Sequence, residues 1–134
     1  MSYVTLQDLI TRFGEPELLS LAPDATGEAI DAQAVQTACE DASGEIDGYV
    51  SAGGYTTPLI PVPRIIVSIA ADIARYRLYD DHAIDQVTKR YDDTIRFLAR
   101  VADGQVQLGV KEPSSTAGSA EFAPSRQVMP GGGF

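Results

Sequence analysis

Residues 65–98 read IIVSIAADIARYRLYDDHAIDQVTKRYDDTIRFL, and the rhythm of that stretch decides the fold. Ile66, Ile69, Ile73 and Tyr76 recur at steps of three, four and three. After a break at Tyr79-Asp80-Asp81-His82, the residues Ile84, Val87, Tyr91, Ile95, Leu98 and Ala102 resume the same spacing. A helix turns once in about 3.6 residues, so each set lies on one face. Two consecutive amphipathic helices follow, near residues 64–80 and 83–103, and each needs another surface to cover its stripe.

That surface comes from upstream. Asp31 is placed to cap a long helix over residues 31–52, whose stripe is Val35, Ala38, Cys39, Ala42, Ile46, Tyr49 and Val50. Its small central residues let a neighbouring helix approach closely, and Gly53-Gly54 ends it. Thr5, with Asp8 three positions on, makes a capping box ahead of Leu6, Leu9, Ile10 and Phe13. Gly14 closes that short helix, and residues 15–21 form another turn. Between the long helices, Pro58, Pro61 and Pro63 make residues 55–63 an extended apolar connector, with Pro63 near the start of the next helix.

Downstream, Gly104 ends the last helix and Val106, Leu108 and Val110 alternate, which predicts one short strand near residues 105–110 in need of a partner edge. Residues 111–134 are rich in Ser, Gly, Pro and Ala and are expected to be a flexible, disordered tail. The chain is therefore read as all-α: a small bundle of four to five helices over residues 1–110, followed by that tail. No apolar run reaches the roughly 18 residues of a membrane span. The N-terminus lacks a signal-peptide pattern, so synthesis in the cytoplasm is expected.

The residue inventory is poor in chemistry. Cys39 is the only cysteine, which excludes an intrachain disulfide, and its place on an apolar stripe makes it a core thiol. His82 is the only histidine, which excludes most zinc sites; Asp80, Asp81 and Asp85 around it are read as a turn and N-cap. Residues 24–31 mix acids with Gly27 but lack the spacing of a calcium loop, so they are read as a turn into Asp31. No phosphate-binding glycine motif and no nucleophile elbow is present. The expectation is a protein that is not an enzyme, with no cofactor and no metal. Tyr76, Tyr79 and Tyr91, interleaved with Arg75, Arg77 and Arg90, are assigned to packing, with local acids cancelling the arginines.

Net charge is −9, and its placement matters more than its size. Residues 1–54 carry Arg12 as their sole basic residue against ten acids (Asp8, Glu15, Glu17, Asp24, Glu28, Asp31, Glu40, Asp41, Glu45 and Asp47). Such a half does not hold DNA phosphates, which need a basic patch. It is either a solubilising face or a surface that lies near DNA without gripping it.

Several phrases together carry a family resemblance: residues 3–15, YVTLQDLITRFGE; residues 42–49, ASGEIDGY; Pro61-Val62-Pro63; residues 72–81, DIARYRLYDD; and residues 104–109, GQVQLG. On these, the chain over residues 3–110 resembles the head–tail connector (adaptor, or head-completion) proteins of Mu-like bacteriophages and prophages. The phrase at 72–81 is the most specific. The resemblance implies a structural protein that forms a ring, often dodecameric, beneath the portal at the capsid vertex. That ring completes the DNA-filled head and presents a docking surface to a tail-completion or tail-terminator protein. Assembly in the host bacterial cytoplasm and residence at the virion head–tail junction are implied with it. No catalytic residues come with the family. At residues 22–30 the chain departs from its look-alikes, being poorer in acids.

On this reading Val106, Leu108, Val110, Phe122, Arg126, Val128, Met129 and Phe134 are candidates for portal docking, as an edge and apolar anchors on a tether. Asp24, Glu28, Glu40, Asp41, Glu45 and Asp47 are candidates for an acidic surface facing DNA that passes by without specific binding. Two rival classes stand beside it: a small acidic regulatory protein that binds an ion or small molecule through the 24–31 loop, and a DNA mimic that uses the same acidic half to bind a basic DNA-binding protein.

Overall fold

The computed structural model describes residues 2–110, and the tail expectation over residues 111–134 lies outside them. Among the described residues there are five α-helices: α1 (Leu6–Phe13), α2 (Glu15–Leu21), α3 (Ala32–Ala52), α4 (Arg64–Tyr79) and α5 (Asp85–Ala102). One 3₁₀ turn, Asp80–His82, joins α4 to α5. No strand forms among the described residues; an isolated antiparallel bridge, Pro23 to Ile30, pins the loop between α2 and α3.

Local chemistry sets the helix ends. The Thr5 hydroxyl accepts from the Asp8 N–H at 3.1 Å while the Asp8 carboxylate accepts from the Thr5 N–H at 3.0 Å, a closed capping box. Asp31 accepts from the Gln33 and Ala34 N–H groups at 3.1 and 3.2 Å, satisfying two of the orphan donors of α3. α3 packs mainly on α4, and α5 closes against both. Small residues are buried on both helices: Ala38 and Ala42 from α3, Ala70, Ala71 and Ala74 from α4. At the end of α3, a Cβ on Gly53 would lie 2.5 Å from the Val101 carbonyl oxygen, so only glycine lets α3 finish against α5.

The core is aliphatic: Val35, Ile46, Val50, Ile66, Ile73 and Leu98 are fully buried. The short N-terminal helices cover it through Leu9 and Leu18, and the connector contributes Tyr55 and Leu59. Tyr3 ties three segments together. Its N–H donates to the Ser43 hydroxyl at 2.8 Å, its hydroxyl donates to Asp47, and the Leu59 N–H donates to that same hydroxyl at 2.8 Å. Burial, with Asp47 beside it, pushes the Tyr3 phenol up to about 12.

Three sequence expectations are corrected. The strand near residues 105–110 is absent, because its alternation is spent on the helical core. Leu108 is buried and its N–H donates to the Tyr55 hydroxyl at 3.0 Å, leaving no ladder to join. Ile84 does not belong to the α5 stripe: it is the N-cap, in extended backbone and 52 % exposed. Thr94 and Val101 are buried on α5 instead. The Asp80–Asp81 pair does not cap α5. Asp80 is instead the C-cap of α4, with φ at 55° and ψ at −128°.

Candidate functional site

The phrase Ala74-Arg75-Tyr76-Arg77-Leu78-Tyr79-Asp80-Asp81 ends α4, and each of its residues has a distinct task in joining the helices. Ala74 is buried where α4 needs no side-chain bulk. Arg75 points toward α2: its Nε donates to Glu17 Oε2 at 2.7 Å and its second guanidinium nitrogen donates to Glu17 Oε1 at 3.2 Å. This two-point geometry is the strongest a guanidinium and a carboxylate can make. The same guanidinium lies 4.3 Å from the centre of the Phe13 ring, so α1 is held as well. Tyr79 donates its hydroxyl to Glu17 Oε2 at 3.2 Å.

Two residues on, on the opposite side of the helix, the pattern repeats toward α3 and α5. Arg77 donates to Glu45 Oε1 at 2.9 Å, and the Tyr91 hydroxyl donates to Glu45 Oε2 at 2.8 Å. The Tyr76 and Tyr91 rings stack in parallel, with centroids 4.0 Å apart and planes 7° from each other. Half-burial pulls the Arg75 guanidinium down, but the Glu17 carboxylate outweighs it and holds the group above its ordinary range. Burial, reinforced by Glu45, pushes the Tyr91 phenol up to about 12, and burial with Glu17 raises Tyr79 in the same direction. Nearer the middle of α4, burial raises the Asp72 carboxyl although Arg90 stands 3.3 Å away.

Two glutamates are thus the partners that the sequence alone did not assign. Glu17 and Glu45 lie 58 and 32 positions before their arginines, beyond any local spacing rule. The signal was global: an acid-rich half followed by arginines flanked by tyrosines.

Beside this joint runs an open groove of about 560 Å³, between α3 and the end of α4, walled by Thr37, Asp41, Arg77, Asp80, Asp81 and Tyr91. Its carboxylates are dispersed. Among the described residues no group of three or more His, Cys, Asp or Glu side chains is placed to hold a metal ion. His82 lies 3.4 Å from Asp81, both almost fully exposed, and faces no nucleophile. Cys39 is enclosed in the core, where burial pushes its thiol up to about 11 and away from reactive thiolate chemistry. In the loop of residues 24–31, Asp24 Oδ1 accepts from the Thr26 N–H, the Thr26 hydroxyl and the Gly27 N–H at 2.9, 2.6 and 3.0 Å. These bonds lower its pKa, with the Thr26 hydrogen bond the largest cause, and spend the carboxylate on its own turn.

The candidate DNA-facing acids divide. Glu45 and Asp47 are engaged inside the fold by Arg77, Tyr91 and Tyr3. Asp24 serves its turn. Glu28 and Glu40 are exposed and form no ion pair among the described residues, and Asp41 is 56 % exposed with Arg77 at 4.0 Å. The docking candidates divide too: Leu108 is core, Val106 and Val110 are half-buried against it, and Phe122, Arg126, Val128, Met129 and Phe134 lie outside the described residues.

The family described as bacteriophage Mu, Gp36 matches residues 3–124, nearly the whole chain. A Mu-like prophage protein of Haemophilus influenzae, FluMu protein gp36, is 38 % identical over 121 residues, covering 90 % of this chain and 85 % of its own. Gene product J of Escherichia phage Mu is 37 % identical over 131 residues, covering 96 % of this chain and 90 % of its own. The match runs through both arms of the joint and on past the last described residue. This chain belongs to the bacteriophage Mu Gp36 family, and its resemblance to the Mu-like head–tail connectors is settled at the level of family.

Proposed function

We propose that the protein is a structural head–tail connector: a ring beneath the portal that completes the DNA-filled head and offers the tail its docking surface. Family membership across residues 3–124 is the observation that carries this reading. The fold suits it. Glu17 and Glu45 lock α4 to its neighbours, giving a rigid body that keeps its shape when copies pack around a channel. Its partners are further copies of itself, up to a dodecamer, then the portal protein on one side and a tail-completion or tail-terminator protein on the other. Assembly takes place in the host bacterial cytoplasm and the product stays at the head–tail junction of the virion.

Two surfaces divide the work. Glu28 and Glu40, which form no ion pair among the described residues, and Asp41, exposed with Arg77 at 4.0 Å, repel phosphate and let DNA slide past. Docking to the portal falls to residues 111–134, with Phe122, Val128, Met129 and Phe134 as apolar anchors, Arg126 as the charged one, and Val106 and Val110 where the tail leaves the body.

A phage lacking this chain should accumulate filled heads and free tails, which join once purified protein is added. Joined particles formed without it would overturn the reading. Deleting residues 111–134 should leave the helical circular dichroism and melting temperature unchanged while attachment to portal-bearing capsids is lost. A truncated chain that still attaches would move docking onto the folded body.

A further inference from the structure

Of the three large apolar side chains that stand exposed among the described residues, Ile60 lies in the connector before α4, while Ile65 and Ile84 lie at opposite ends of one helical hairpin. α4 and α5 run antiparallel, with Tyr76 stacked on Tyr91 near the turn, Asp72 paired with Arg90 farther along, and Ile65 near Phe97 at the far end. At the turn, Ile84 stands 52 % exposed as a single apolar knob. At the far end, Ile65 is 44 % exposed and forms a shallow groove of about 250 Å³ with Ile69, Thr94 and Phe97. The Asp72–Arg90 ion pair lies along the same groove, and Asp93 there is already matched by Lys89 and Arg96. Thirteen helical residues separate Ile84 from Phe97, about 20 Å at 1.5 Å per residue, so the knob cannot reach the groove of its own chain.

The charges around these features are opposite. Residues 80–85 hold Asp80, Asp81 and Asp85, all exposed, and no Lys or Arg. Residues 64–71 and 94–102 hold Arg64, Arg96 and Arg100, all exposed, and no acid. Exposed Asp92, Asp93 and Asp103 stand at their borders, with Asp93 taken up by Lys89 and Arg96, which leaves Arg64 and Arg100 as the cations without an ion pair among the described residues. An acidic tip with an apolar knob therefore complements a basic end with an apolar groove.

We infer that the tip of the α4–α5 hairpin of one copy, led by Ile84, docks into the Ile65–Phe97 groove of a second copy, with Asp81 and Asp85 meeting Arg96 and Arg100. The two patches differ, so the contact is head-to-tail and repeats from copy to copy. It rests on the connector reading only for its closure into a ring rather than a filament. Like many rim pairs, the charges set orientation and encounter rate, while Ile84 supplies the burial.

Two variants of the full chain, I84C and I65C, each adding one exposed cysteine to the buried Cys39, test this when mixed in equal amounts and treated with a short bis-maleimide. Cys39 stays unreacted in the core. Both sites are exposed, so the fold survives, which circular dichroism verifies. The mixed product should exceed the proportion that random encounter gives among the three pairings, and rise further with protein concentration up to the millimolar range. Adding R96E and R100E to the I65C chain should lower the mixed product about tenfold. Adding D81K and D85K to the I84C chain should restore it. Random proportions, or no rescue by the charge swap, would overturn the inference. Attachment of the unaltered chain to portal-bearing capsids is scored separately. If it attaches while the mixed product stays random, only this interface falls. If the mixed product forms but the chain never attaches, the connector reading falls and the interface stands.

Discussion

The joint at the end of α4 and the outer face of α2–α3 contain the same kinds of residue and use them in opposite ways. At the joint every arginine has an acid within hydrogen-bond reach: Arg75 has Glu17 and Arg77 has Glu45, with Tyr79 and Tyr91 donating to the same carboxylates. On the outer face Glu28 and Glu40 are exposed without an ion pair among the described residues, and Asp41 has Arg77 only at 4.0 Å. Carboxylates that are half-buried must be answered by donors, because leaving them unpaired costs several kcal/mol. Carboxylates in water need no partner. The acidity of the first half is thus two populations, one that builds the fold and one that shapes the field outside it.

The largest test of that division removes an acid from the joint. Glu17→Ala should cost about 3 kcal/mol in urea unfolding, since it strands Arg75, whose side chain is 12 % exposed, and takes the acceptor from Tyr79. Adding Arg75→Ala should recover part of the loss, because the stranded charge goes with it. Two independent, additive losses would mean that the pair is not a unit. Glu45→Ala should cost less, about 1.5 kcal/mol, because Arg77 is 41 % exposed and water can answer it, while Tyr91 still keeps its stack on Tyr76. An effect equal to that of Glu17→Ala would erase the gradient of burial on which this ranking rests.

Alkaline pH probes the joint through Tyr91, and the N-terminal tie through Tyr3, without mutation. Tyr3 and Tyr91 keep their protons up to about 12 in the folded chain, against 10.0 for an ordinary tyrosine. Both folded values lie above the unfolded one, so their contribution is complete below pH 10 and is lost as pH rises through 12. Between those limits stability should fall by at most about 1.4 kcal/mol per pH unit for each tyrosine, and less for Tyr91, which solvent partly screens. Urea titrations at stepped pH give the slope, and Tyr91→Phe should flatten it. An unchanged slope in that variant would assign the effect to the other raised groups, Tyr3, Tyr79 and Cys39.

The helices were legible in the sequence because their signals are local: the Thr5–Asp8 box, the Asp31 cap and the steps of three and four in α4 and α5 all act within a turn or two. The family phrase was legible as a pattern, but its meaning was not. What Arg75 and Arg77 do depends on glutamates 58 and 32 positions away, whose placement only the packed bundle decides. Where local reading failed, tertiary packing had overridden it. The alternation of Val106, Leu108 and Val110 looks like a strand, yet Leu108 is drawn into a helical core that offers no edge to pair with. Ile84 continues the apolar rhythm of α5, yet it precedes the helix and stays in water.

The smallest expected effect on stability is the most informative about the outer face. Reversing Glu28, Glu40 and Asp41 together to lysine changes the net charge of the chain from −9 to −3, since each reversal adds two units. None of the three carboxylates is buried, and of the three only Asp41 approaches a cation, at the 4.0 Å limit of an ion pair. Surface substitutions of this kind stay within about 0.5 kcal/mol, so the urea midpoint should barely move. Duplex affinity should respond instead, because three lysines replace repulsion with attraction. Binding should appear at low salt and weaken steeply as salt rises, with a slope set by the few phosphates neutralised. Fluorescence anisotropy of a labelled duplex, read across a salt series, measures this directly. A variant that unfolds would place these acids with Glu17 and Glu45 among the fold-builders. A variant that folds, stays indifferent to DNA at every salt concentration and still supports DNA ejection from completed particles would leave the face with solubility alone. A variant that binds DNA and slows ejection would tie the unpaired acids to the passage of the genome.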